Sequence, residues 1–432
     1  MRLAWFTPWP PDRHPAARRS RDIVRALSAR GEAIDLVVAD DAAAFGADRA
    51  ATVPPGVHVV SAAECRAQGS RPDLAVYYVA NDTACEFMWP SVFEQPGLLV
   101  LHDINIHAMR RAGAQGRAAA YRTEFASNHP DVPPDAAELA IAGFAGAYES
   151  FWPMIRSVVE ASRVVAVPTA AAARDVQARW PDASIVTIAP GIQAPAPSDA
   201  DTCMARRSAW NIPAEAVVFG VVGHGDDPAA RRLPQILRAF ASTLARVPHV
   251  RLLVSGMEAD LAAQPAAVRT AITRVGPLTE EERGHLMDAV DVLVDLHWPP
   301  LAGPSDHRLA GMAAGRLAIF METGEAADVP ALDPRSWRPP VDGRDPVGVA
   351  IDILDEDHSL RLACYRLAVD HALRERLGRA AHAYWEHTHT LGHMTAGVVR
   401  AIDLALARPA NRAEAHSPLH QPEGSVMQEP TC

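Results

Sequence analysis

Residues 217–244 read VVFGVVGHGDDPAARRLPQILRAFASTL. Six apolar residues come first, without polar alternation, as in a strand covered on both faces. A loop with Gly223, Gly225 and two arginines follows, and 233–244 reads as a helix. Strand, loop and helix in that order make a parallel α/β unit. The pattern recurs on both sides. Toward the N-terminus, strands are predicted at 2–6, 34–38, 57–60, 74–78, 98–101, 164–167 and 185–188. Helices are predicted at 15–30, with Ile23, Val24 and Leu27 on one face, and at 117–125, 136–160 and 170–180. Toward the C-terminus, strands are predicted at 250–255, 272–275, 292–296 and 317–320. Helices are predicted at 280–289 and 308–314, and 347–406 reads as mainly helical. The break QAPAPSDAD (193–201) is read as the linker between two series. The polar stretch 409–432 has no periodicity and is expected to be a disordered tail. The expected architecture is α/β: two doubly wound domains facing a central cleft, where open sheets bind ligands at the carboxyl ends of their strands.

Composition narrows the chemistry. The chain has 432 residues, 49% apolar and 22% charged, which excludes wholesale disorder. With 41 basic and 52 acidic residues the net charge is −11, a poor footprint for nucleic acid, and no nucleic-acid partner is expected. All 41 cations are arginine. Schiff-base, P-loop and kinase-type lysine chemistry is thereby excluded. Five scattered cysteines form no CxxC pair and suit a reducing compartment. The apolar stretch 3–6 is too short for a signal peptide, and no run of 18 apolar residues occurs. A cytoplasmic location is expected. Asn81-Asp82-Thr83 fits a glycosylation acceptor without a secretory context.

Ordered pieces over about residues 1–407 carry a resemblance. They are LAWFTPWPP (3–11), LLVLHDINIH (98–107), VVAVPTAAAARDVQARWPDASIVTIAPGI (164–192), FGVVGHGDDPAARRLPQILRAF (219–240), RVGPLTEEERGHLMDAVDVLVDL (274–296) and LAGPSDHRLAGMAAGRLAIFMETGEAADVP (301–330). Together they resemble the GT-B glycosyltransferases, specifically the retaining enzymes of glycosyltransferase family 4. The resemblance implies a Rossmann-like acceptor domain at 1–195 and a nucleotide-sugar donor domain at 196–390. It further implies a helix at 391–408 crossing back to the first domain. It implies sugar transfer from a nucleoside diphosphate sugar, with retention and without a metal or other cofactor. The acceptor stays open among glycan, lipid-linked and small-molecule classes, as does peripheral membrane association.

Chemistry then selects residues. A departing diphosphate needs fixed positive charge and convergent N–H donors. Arg231 and Arg232 stand where the family has its donor-domain lysine, and arginine can grip phosphate oxygens in pairs. Gly223 and Gly225 allow a close backbone approach. Gly303-Pro304-Ser305-Asp306 opens a helix, with Ser305 as a cap whose neighbouring N–H groups favour an anion. Gly276 lies in the block resembling the nucleobase contact. Asp328, in GEAADVP, aligns with the family's acidic turn residue, and Glu325 is a nearby substitute. His102 and Asp103 end a strand, and the resemblance implies that His102 lies near the reacting sugar. The family's paired glutamates are absent: Ala302 or Gly303 and Ala310 occupy those positions. That departure keeps a second reading open, a weak or silent GT-B-like protein that binds nucleotide sugar or serves as a partner subunit. A GT-B nucleotide-sugar epimerase is a third. His107 reads as a helix-surface residue, Asp355-Glu356-Asp357 as a solvated charge run, and His389 and His393 as crossover-helix residues rather than metal ligands.

Overall fold

The computed structural model describes residues 1–10, 15–39, 50–67, 72–144, 146–196, 198–223, 231–257, 261–276, 282, 285–299, 301–322, 326, 328–339 and 343–409. Gly225, Glu325, positions 280, 281, 283 and 284 of the helix predicted at 280–289 and the tail from 410 lie outside them; of that prediction the described residues show a 3-10 turn at Leu286–Asp288. By contacts the chain divides into two units. The first holds Met1–Val167, Val176–Val186 and Arg400–Cys432, and the second holds Pro168–Asp175 and Thr187–Val399.

Seven strands among the described residues build the sheet of the first unit. They are β1 (Arg2–Phe6), β2 (Ala33–Val38), β3 (His58–Ser61), β4 (Leu74–Val79), β5 (Leu98–Leu101), β6 (Val164–Val167) and β7 (Ile185–Thr187), in the order β3-β2-β1-β4-β5-β6-β7. Its ladders from β3 through β6 are parallel. β1, β4, β5 and β6 are apolar runs buried along almost their whole length, as a sheet covered on both faces requires. A buried ion pair joins two helices of this unit: Arg110 donates to Glu124 at 2.5 and 2.9 Å and lies 4.0 Å over the Trp89 ring. The helix expected over 136–160 is broken into Asp135–Ile141, a 3-10 turn at Gly146–Phe151 and Arg156–Ala161. Gly143 at φ 94° and Met154 at φ 56° turn the backbone out of the helical region between them.

The second unit repeats the scheme with six described strands. They are β8 (Val217–Val222), β9 (Val250–Ser255), β10 (Ile272–Val275), β11 (Val292–Asp295), β12 (Leu317–Met321) and β13 (Gly348–Ile351), in the order β10-β9-β8-β11-β12-β13, all parallel. β13 corrects the expectation of helix from 347 onward. Its four residues are all buried, and it pairs with β12 in register Ala318↔Gly348. Helices Glu356–Val369, His371–Thr388 and Leu391–Ala407 follow. Two apolar clusters sandwich this sheet. Phe219, Val254, Ile319 and Leu367 belong to one face, and Val218, Leu253, Leu293 and Phe320 to the other. Residues 193–196 and 198 carry no helix or strand, and Asp199 caps the helix Ala200–Ala209 by accepting from Thr202 N at 2.8 Å. No helix among the described residues is long and apolar enough to cross a membrane.

Candidate functional site

The strand order of the second unit reverses between β8 and β11. Ligands of open parallel sheets bind outside the carboxyl ends of the strands at such a point. β11 ends there in Asp295, a carboxylate closing an apolar run and only 8% exposed. Three residues converge on it. Arg231, 6% exposed, donates to Oδ1 at 3.1 Å. Ser305 donates through its hydroxyl to Oδ2 at 2.9 Å. Arg308, 2% exposed, holds Nε 3.8 Å from Oδ2. Ser305 is also the cap of the helix Asp306–Ala313, its Oγ accepting from Arg308 N at 3.0 Å. One buried carboxylate thus ties the arginine after the glycine loop to the capped helix start. The sequence reading singled out Arg231 and Ser305 but missed Asp295 and Arg308. The available signal was a carboxylate terminating the run VLVD at a strand's carboxyl end.

Other predicted donor residues are differently placed. Arg232, at φ 55°, precedes the helix Leu233–Leu244 and gives its guanidinium to Glu356, with Nε 2.7 Å from Oε1 and a second short bond from NH2 to Oε2. That carboxylate raises the arginine's pKa and fixes its side chain. Glu356 therefore departs from the reading of Asp355-Glu356-Asp357 as a solvated charge run, while Asp357 is exposed as that reading has it. Glu356 is buried on Arg232, Asp357 accepts from Arg238 at 2.9 Å, and Asp355 accepts from Ser359 at 3.1 Å. Gly223 follows β8, and a Cβ there would stand 2.3 Å from Met257 Cγ, so any side chain at 223 requires Met257 to move. Gly276 follows the edge strand β10, with open space where a Cβ would be. At Gly303 a Cβ would meet Pro168 at 2.9 Å. Asp306 is half-buried in the first helical turn. Asp328 accepts two 2.9 Å bonds from Arg174, and both side chains are exposed. Ala302 is buried, and half-buried Ala310 packs on the cluster containing Leu286, Met287 and Leu293.

In the first unit the order reverses between β1 and β4. His102 follows β5, beside the end of β4, and its backbone N–H donates to Val79 O at 2.8 Å. Its Nδ1 lies 3.3 Å from Asp103 Oδ2, which accepts from Asn81 N at 2.9 Å. Asn81 Oδ1 in turn accepts from Met109 N at 2.9 Å, and Asp82 accepts from Ala84 N at 2.8 Å. The Asn-Asp-Thr triplet therefore serves the turn that sets the His102–Asp103 pair. His107 is a correction: it is fully buried, its Nε2 2.6 Å from Tyr121 Oη, and burial lowers its pKa. His389 and His393 contact Pro190 O at 2.7 Å and Thr390 Oγ1 at 2.7 Å through Nδ1.

No protein-family model matches the chain. No curated protein matches it either. Solved structures do. Anabaena HepE, crystallised with UDP and glucose, is similar at a TM-score of 0.62 and 14% identity over 93% of this chain and 99% of that one. Sucrose-phosphate synthase from Thermosynechococcus elongatus gives 0.56 and 14%, covering 93% and 98%. WaaG, a glycosyltransferase involved in lipopolysaccharide biosynthesis, gives 0.55 and 14%, covering 93% and 99%. At these identities the likeness shows the fold alone: two parallel α/β units of the GT-B type.

Proposed function

We propose that the chain is a glycosyltransferase that moves a sugar from a nucleoside diphosphate sugar, with a UDP-sugar as the first donor to test. The observation that carries this is the cluster of Arg231, Ser305 and Arg308 around buried Asp295, at the strand-order reversal of a GT-B unit. The similar HepE structures hold UDP or UDP-glucose, which supports that choice of donor. Breaking the sugar–phosphate bond leaves an oxocarbenium-like sugar and a diphosphate carrying the released charge. Arg231 and the N–H groups at the Ser305 cap would stabilise that diphosphate. A guanidinium held by a buried carboxylate is oriented before the reaction and pays little to reorganise. The proposed transfer is retaining and metal-independent, with arginine in the role of the cation. Gly223, Gly276, Gly303, Asp306 and Asp328 are proposed as further donor contacts. Arg232 joins them only by leaving Glu356. His102, held by Asp103, would hydrogen-bond the reacting sugar.

A second reading rests on Ala302, Gly303 and Ala310. Small side chains stand where the resembling family carries glutamates, and Ala310 packs on an apolar cluster. That fits a protein that binds nucleotide sugar and turns it over slowly or not at all. Calorimetry with a panel of nucleotide sugars, followed by assays of donor hydrolysis and transfer, separates the readings. Turnover supports the transferase. Saturable binding without turnover supports the second reading. Failure to bind any nucleotide sugar refutes both.

A further inference from the structure

A cavity of about 230 Å³ lies within the second unit, on the Arg308 side of Asp295. Met312, Ala318, Phe320 and Val347 give it apolar walls, while Arg308 and Arg344 bring two guanidiniums. Arg231 and Gly223 do not line it. Arg308 is buried, with its guanidinium carbon 5.0 Å from the centre of the Phe320 ring, so its charge lies over an aromatic wall. Arg344 is exposed and has no carboxylate partner among the described residues. The one carboxylate in the lining, Asp328, already accepts both its bonds from Arg174. Tyr384 also lines the cavity. Burial raises its pKa, and Arg344 and Arg308 pull it back down, which places both cations near the phenol.

We propose that this cavity binds a small amphipathic anion: an apolar ring or short chain against Phe320 and Met312, with one phosphate or carboxylate between Arg308 and Arg344. The charge follows from Arg344, which has no carboxylate partner among the described residues, beside Arg308, which shares the single carboxylate of Asp295 with Arg231. The apolar body follows from the walls. The size follows from the volume, which equals about eight waters and falls below the usual range for drug-sized ligands. The cavity adjoins the proposed nucleotide site and shares Arg308 and Asp328 with it, but Arg231, which takes Asp295 Oδ1 while Arg308 stands on Oδ2, does not line it.

The test uses the full chain and three probes, phenyl phosphate, inorganic phosphate and benzyl alcohol, titrated by calorimetry and NMR. Phenyl phosphate is expected to saturate, with each of the others binding roughly tenfold more weakly, since each lacks one half of the recognition. Arg344→Ala changes an exposed side chain, leaves the fold intact and should weaken phenyl phosphate by about tenfold. Ala318→Leu fills the cavity from its wall and should weaken it at least as much. Saturating UDP should leave phenyl phosphate bound. No saturable binding, an unchanged affinity in both variants, or one-for-one displacement by UDP would each overturn the proposal.

Discussion

Replacing Asp295 by alanine removes the carboxylate from two buried guanidiniums and from the Ser305 hydroxyl at once. Breaking a buried ion pair by deleting one partner costs about 3–5 kcal/mol, because the remaining charge stays desolvated. The lost Ser305 bond adds about 1 kcal/mol. The Arg308 contact at 3.8 Å is beyond hydrogen-bond range and adds less. The expected loss is therefore about 4–6 kcal/mol. For a unit of this size each kcal/mol shifts the melting temperature by about 2–4 °C. Calorimetry of Asp295→Ala should show the second unit's transition lowered by about 8–24 °C. Asp295→Asn keeps an acceptor for Ser305 and should lose less. The double variant Arg231→Met, Asp295→Leu removes both charges together and should be less destabilised than the two single variants summed. An Asp295→Ala protein within 1 kcal/mol of wild type would show that the cluster is solvated and that Asp295 positions nothing.

Arg231→Ala should weaken UDP by roughly tenfold to a hundredfold and uridine much less, since a charge-assisted phosphate contact is worth about 1.5–3 kcal/mol; equal losses for both ligands would assign Arg231 to folding or to the base. Ala310→Glu should tighten UDP-glucose by about tenfold if the site keeps the geometry of the resembling family, and unchanged or weaker binding would show that Ala310 is wall rather than donor contact. Burial lowers the His129 pKa to about 4 from its ordinary 6.5, with His107, Arg179 and Arg156 adding to the shift. Between those values the unfolded chain binds more protons, so His129's contribution is complete above pH 6.5 and fades as pH falls toward 4; denaturation of His129→Gln should show a flatter profile across that window. In Gly378→Ala the new Cβ would meet Gly315 O at 2.2 Å, forcing the helix His371–Thr388 away from the turn after Asp306–Ala313, and a loss of about 1–3 kcal/mol in urea denaturation is expected.

The sequence by itself determined the two α/β series. Runs such as VVFGVV and LAVYYV have no polar alternation, and their length and β-branched and aromatic content suit strands of a sheet covered on both faces. It also determined the cap at Ser305, because capping is local: the hydroxyl meets an N–H three residues ahead. Arg231 and Ser305 were legible as candidates for the same reason, each standing at the start of a helix after a loop. Tertiary structure decided the rest. Asp295 is 64 positions from Arg231, and Glu356 is 124 from Arg232. Nothing local says which arginine faces the strand-order reversal and which is tied to a neighbouring helix. His107 looked like a surface residue because its partner, Tyr121, lies on the next helix. Glu356 looked solvated because its partner, Arg232, comes from far earlier in the chain. β13 was read into a helical region because a four-residue apolar run is ambiguous until β12 offers it a ladder. Periodicity and capping act within a few residues and can be read along the chain. A buried charge takes its meaning from what desolvates and pairs it, and the fold brings those groups from far away in sequence.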